Sequence, residues 1–182
     1  MLWPVKPFTA FTLLAAVALC FGQKPGQSLS FSSEDERVTD FAQLPDSALS
    51  ILSKDKEAFP DGMPSDLRCE DHEQAGEKPG PELLCRRLQL AKHLGDDYLV
   101  IGVGDLRGAH TVSFWLIHRD ERGASLLFKT SSDQIEITNK RFNGYAEVRV
   151  TWILGAGATI VTDSFRFDGR TYVRYYRQTQ HQ

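Results

Sequence analysis

The stretch Asn143–Arg177, NGYAEVRVTWILGAGATIVTDSFRFDGRTYVRYYR, decides how this chain is read. From Tyr145 to Trp152 polar and apolar residues alternate: Ala146, Val148, Val150 and Trp152 point one way, and Tyr145, Glu147, Arg149 and Thr151 the other. Successive side chains of a strand face opposite sides, so this pattern predicts a strand with one face buried and one wet. Asp168-Gly169 then separates SFRF from TYVRYY. Asp-Gly between alternating runs predicts a type I′ hairpin turn, whose two central residues need positive φ. The stretch reads as an antiparallel meander closing the C-terminal end of the domain.

Upstream of it the extended pattern continues. Tyr98–Val103 (YLVIGV) and Val112–His118 (VSFWLIH) are apolar on both faces, as covered strands are. Asp120–Gly123 makes a turn, and Ala124–Lys129 and Gln134–Thr138 follow as strands. Before Asp97 the period looks helical. Phe41–Phe59 has Pro45, Asp46 and Ser47 at a helix start, with Ala48, Leu49 and Leu52 on one face. Pro81–His93 (PELLCRRLQLAKH) sets Pro81 and Glu82 at one end, Lys92 and His93 at the other, and a stripe of Leu84, Leu88 and Ala91 between them. The expected fold is therefore α+β: two N-terminal helices packed on an antiparallel meander of about seven strands, with no βαβ alternation. The helical part would be residues 41–95 and the sheet part 96–178 of a single domain, 41–182.

The N-terminus reads as a secretory signal, Met1–Gly22. Lys6 supplies the positive region, Phe8–Phe21 an apolar core too short to span a bilayer comfortably, and Cys20-Phe21-Gly22 a cleavage site. Cleavage is favoured over an uncleaved anchor by the shortness of the run and the polar KPGQS after it, and lipidation of Cys20 is disfavoured because Leu19 is too large for the residue before a lipidated cysteine. Residues 23–40 read as a flexible leader. The protein is then periplasmic or secreted, with no stable membrane span once the signal is gone. The net charge of −3 becomes −4 without Lys6, which is too little and of the wrong sign for a nucleic-acid binder. Two cysteines remain, Cys69 and Cys85, and an even count in an exported chain points to a disulfide, with a metal pair or two free thiols as the alternatives.

Phe114-Trp115, then Asn143-Gly144-Tyr145, then Phe167-Asp168-Gly169 with Tyr172, resemble a recurrent pattern in small exported bacterial (periplasmic) proteins of uncharacterised function. The resemblance covers about residues 97–176, rests on turn and core motifs, and implies an exported location and a sheet. It supplies no catalytic residue. Many of the proteins it resembles carry extra cysteines near the strand before Phe-Trp; Gly104–His110 here has none.

Chemical motifs are sparse. There is no G-x-S-x-G elbow, and His72, His93, His110, His118 and His181 include no helical i, i+4 pair, so no metal or cofactor is expected. The Gly104–Gly108 and Arg141–Tyr145 loops hold too few acids for calcium, with Arg107 and Arg141 opposing it. Arg166, Arg170, Tyr172, Arg174 and Tyr176 crowd the last hairpin, and arginine and tyrosine are the side chains that most often carry interface energy. The favoured reading is a non-catalytic binding module of the cell envelope that uses those residues on a protein or glycan. The alternatives are a small enzyme using His110 or His118 with Asp105 or Asp120, and a purely structural accessory domain.

Overall fold

The structure, a computed structural model, describes residues 28–32, 41–69, 80–92, 95–108 and 110–182. The expected signal sequence, Cys20, His72 and His93 lie outside them.

The strands expected from Tyr98 onward form, each somewhat longer than its alternating core. They are β3 (Asp96–Gly104), β4 (Val112–Asp120), β5 (Gly123–Ser132), β6 (Gln134–Phe142), β7 (Tyr145–Leu154), β8 (Thr159–Phe167) and β9 (Tyr172–His181). Ahead of them come β1 (Leu29–Ser32), α1 (Asp46–Leu52) and β2 (Pro81–Leu88). The chain thus builds two antiparallel sheets, ordered β1-β6-β7-β8-β9 and β2-β3-β4-β5. This overturns the expected α+β fold with two helices on a single meander.

The second expected helix is strand β2. Leu84 and Leu88 stand four apart, a spacing that shares one face in a helix and in a strand alike. What separates the two cases is Leu83 and Cys85, which are fully buried on the opposite face from Leu84. Leu84 and Leu88 pack between the sheets, while Leu83 and Cys85 pack beneath α1. Burial on both faces is what a covered strand requires and an amphipathic helix does not provide. The first expected helix exists but stops after seven residues. Asp55 Oδ1 accepts the amides of Glu57 and Ala58 at 3.2 Å each. A short acid that takes backbone donors in this way competes with helix propagation. Within the expected flexible leader, Leu29–Ser32 pairs with β6 and buries Phe31.

The two sheets face each other across one core that includes Leu99, Phe114, Leu116, Ile135, Val148 and Val150. A second cluster on the far side of the four-stranded sheet joins α1 (Ala48, Leu49, Leu52) to Val100, Trp115 and Ile117. The order of layers is therefore α1 with its flanking loop, the four-stranded sheet, the five-stranded sheet, and then solvent. Only Asp133 separates β5 from β6. Its amide donates to Thr151 O at 3.1 Å and its Oδ2 accepts the amide of Ile153 at 2.9 Å, so the corner between the sheets is fastened to β7.

Cys69 and Cys85 form the expected disulfide, with Cα atoms 5.5 Å apart. It ties the segment after α1 to edge strand β2. The tight two-residue turn falls at Asn143-Gly144, where φ is 51° and 83°. At Asp168-Gly169 the loop runs instead from Asp168 to Thr171, and Asp168 Oδ1 accepts the amides of Arg170 and Thr171 at 2.9 Å each. Only Gly169 has positive φ there, so the expected type I′ turn is corrected to a longer loop. No helix among the described residues is long and apolar enough to cross a membrane.

Candidate functional site

The solvent side of the five-stranded sheet can be traced through its register, because directly opposed residues share a face. Glu136 lies opposite Arg149, Arg149 opposite Ser164, and Ser164 opposite Tyr176. Regular alternation would send Tyr175 to the other side. Here the β8–β9 pairing slips: Ser164 pairs with Tyr176 and Phe165 with Arg174, which leaves Tyr175 as the extra residue. Such a bulge re-aims a side chain. Tyr175 joins Tyr176 on the outer face, where its ring meets Phe142 edge-on at 5.2 Å. Arg166 lies 5.7 Å from the Tyr175 ring centroid and Lys140 5.5 Å. Tyr175 is 37% and Tyr176 54% exposed.

A second irregularity completes the face. In β6, Ile137 lies opposite Val148 but Arg141 lies opposite Ala146, so β6 carries two more residues than β7 over this stretch. The excess brings Lys140 over Glu147, with Nζ 3.2 Å from Oε2. Glu147 is fully buried although it lies on the wet side of the sheet. Its carboxylate accepts Arg149 Nε at 2.9 Å and the Tyr175 hydroxyl. Burial alone would raise its pKa, but the Tyr175 and Lys140 hydrogen bonds and the Arg149 charge outweigh it and hold the group below its ordinary value. The Tyr175 hydroxyl and Glu147 in turn hold the Lys140 ammonium above its usual range. A carboxylate at the centre, gripped from three sides, fixes the rotamers of the cationic and aromatic side chains around it.

The bulge also turns Arg174 and Arg177 to the same side, away from the tyrosines. Both grip the buried Asp163, Arg174 at 3.2 Å and Arg177 at 2.6 and 2.7 Å. The Arg177 hydrogen bonds lead in holding the Asp163 carboxyl below its usual range.

The five binding residues expected from the sequence therefore do not share one surface. Arg166 and Tyr176 lie on the outer face. Tyr172 is a core residue whose hydroxyl donates to Ala146 O at 2.9 Å, and burial drives its pKa well up. Arg174 belongs to the Asp163 cluster, and Arg170 sits in the Asp168–Thr171 loop. Lys140, Phe142, Glu147 and Arg149 were missed. Alternation had already put Glu147 and Arg149 on the wet face of their strand, and the Lys140–Phe142 pair at the end of another alternating run was the further visible signal.

The histidines stand apart. His110 is exposed and precedes β4, whereas His118 lies near the other end of that strand, roughly 26 Å away at strand rise. His118 Nδ1 donates to the buried Asp97 at 2.9 Å, and Ser125 is its cross-strand neighbour. Its Nε2 faces Asp120 Oδ2 at 3.9 Å, and Asp120 is itself clamped by Arg122 at 2.8 and 3.0 Å. An imidazole bracketed by two carboxylates suits bracing of this sheet end. A shallow cavity of about 570 Å³ lies beside it, lined by Gly95, Asp96, Arg119, Asp120, Glu121 and Arg122. Asp105 lines a different cavity, of about 260 Å³, with Glu57 and Lys129. Among the described residues no cluster of His, Cys, Asp or Glu could hold a metal ion.

No family model, curated protein or solved structure matches this chain.

Proposed function

We propose that this is an exported, non-catalytic binding module of the cell envelope whose outer sheet face holds an anionic polysaccharide. One observation carries the reading. The β9 bulge sets Tyr175 and Tyr176 side by side, within a cationic frame of Lys140, Arg149 and Arg166. Tyrosine rings stack on sugar rings, and guanidinium groups pair with carboxylates in a bidentate fork. The hydroxyls of Thr151, Thr162 and Ser164 border the frame on the same face. A protein interface is built around a desolvated apolar centre, which this polar face lacks, and that favours the glycan over a protein partner. Residues 143–182 carry five arginines and three acids within a chain of net charge −3, and two of those arginines, Arg149 and Arg166, lie on this face. The disulfide suits an oxidising compartment, in keeping with export.

The test is affinity electrophoresis through gels containing alginate, a polyuronate, or a neutral glucan. Retardation by alginate alone, weakening with salt, is expected. Tyr176→Ala combined with Arg166→Glu should abolish it at an unchanged melting temperature. Wild-type protein that runs unretarded, or a double variant retarded as strongly as wild type, would sink the proposal.

A further inference from the structure

The Asn143-Gly144 turn joins β6 to β7 at one end of the binding face. The chain holds two asparagines, Asn139 and Asn143, and only Asn143 precedes a glycine. Both turn residues are exposed, with φ of 51° and 83°. The Gly144 amide donates no hydrogen bond among the described residues. Nothing lies within 4 Å of the point where a side chain on Gly144 would begin, so no neighbour crowds that side of the turn. Arg141 Nη1 donates to Gly144 O at 3.2 Å, which holds a guanidinium against the turn. Its other bond goes to Leu90 O, and among the described residues no carboxylate pairs with it.

We propose that Asn143 is a site of self-modification, at which the folded turn converts asparagine to aspartate and isoaspartate and releases ammonia. The Gly144 nitrogen, once deprotonated, attacks Asn143 Cγ. The N–Cγ bond forms, the Cγ–Nδ2 bond breaks, and Nδ2 leaves as ammonia, so the proton lost by the amide is accounted for in the product. Water then opens the cyclic imide. Attack at Cγ gives aspartate, and attack at the backbone carbonyl carbon gives isoaspartate. No oxidant or reductant is needed.

Two features of the turn favour the first step. Glycine puts no side chain in the path of ring closure. The Arg141 charge favours the amide anion that acts as nucleophile. One contact opposes it: Asn143 Nδ2 donates to Phe167 O at 3.0 Å and must let go before the ring can close. A single bond between neutral groups is a modest restraint. The products alter the end of the binding face. Aspartate has no N–H for Phe167 O, and isoaspartate adds a methylene to the main chain inside a two-residue turn. Turn length fixes the register of a hairpin, and the β6–β7 register places Lys140 over Glu147 and Phe142 against Tyr175.

The experiment is incubation of the folded full chain in buffers from mildly acidic to mildly alkaline. Ammonia release is followed, and electron-transfer fragmentation of the peptides separates aspartate from isoaspartate. The expected result is modification of Asn143 at least tenfold faster than of Asn139, with a rate that rises with pH. Arg141→Gln should slow it at least threefold, whereas Arg141→Lys, which keeps the charge, should not. Raising the salt on wild type screens the same charge and should also slow it, so the role of Arg141 is tested even if the glutamine variant does not fold. An Asn143 that stays intact, or reacts no faster than Asn139, overturns the proposal. So does reaction confined to urea, which would show that the folded turn forbids ring closure. A rate untouched by both Arg141→Gln and salt overturns the role given to the guanidinium. No ligand enters the assay, so its outcome is independent of the glycan reading.

Discussion

Replacing Glu147 with Gln removes one charge and hardly any volume, and the structure sets how much that costs. The carboxylate is fully buried and takes hydrogen bonds from Arg149 and Tyr175, with Lys140 at 3.2 Å. Charge-assisted bonds contribute about 1.5–3 kcal/mol each when both partners are buried. Here Arg149 and Lys140 are 43% and 55% exposed and can return to water, so each bond is worth less. The amide can still accept one bond, and it escapes the carboxylate's desolvation cost. The net loss expected at pH 7 is about 2 kcal/mol, or about 4–8 °C in melting temperature for a domain of this size. The pH dependence follows from the direction of the shift. The folded-state pKa of Glu147 lies below its ordinary value of 4.5. Its contribution is therefore complete above that value and is lost as pH falls through the folded-state pKa. Urea unfolding at pH 7 and pH 3 should show the difference between wild type and Glu147→Gln shrinking in acid, at equal m-values. A difference of the same size at both pH values, or none at pH 7, would refute the account of this carboxylate as the anchor of the face.

Three further outcomes are expected. Cys69→Ala with Cys85→Ala should cost about 3 kcal/mol by removing a link between positions 16 apart in sequence, and dithiothreitol should lower the melting temperature of wild type but not of the variant. Asp55→Ala strips the fully buried Trp115 of the acceptor that its Nε1 meets at 2.8 Å and Lys129 of one of its two carboxylate partners, at 2.8 Å; the expected loss in urea unfolding is about 2–3 kcal/mol, with Asp55→Asn losing less. Ala156 has φ of 54°, a left-handed conformation that costs an L-residue about 1 kcal/mol, so Ala156→Gly should stabilise the protein by about 0.5 kcal/mol after the added freedom of the unfolded chain, read as a small rise in melting temperature.

The sheet strands from Tyr98 onward were legible because period-two alternation is a strong signal wherever one face is wet. Pro81–Leu88 was not, since Leu84 and Leu88 satisfy both periods and only their depth in the fold separates the cases. The split into two sheets was hidden for a related reason: a corner of one residue, Asp133, leaves the run of alternating segments looking continuous. The candidate site was half legible. Arginine and tyrosine marked the last hairpin, but strict alternation in YVRYYR predicts the wrong partners. A bulge shifts every later side chain by one, and it arises from pairing with β8, which no local pattern records. Lys140 reaches Glu147 through a slip of the same kind in β6.

The central claim is that the bulged face of the five-stranded sheet is where a ligand is held. Titrating isotopically labelled protein with alginate oligomers and following its backbone amide resonances tests this residue by residue. The account predicts saturating shifts clustered at Lys140, Phe142, Arg149, Arg166, Tyr175 and Tyr176, with the amides around His118 and Asp120 unmoved. Shifts confined to the Gly95–Arg122 cavity, or none anywhere, would contradict it.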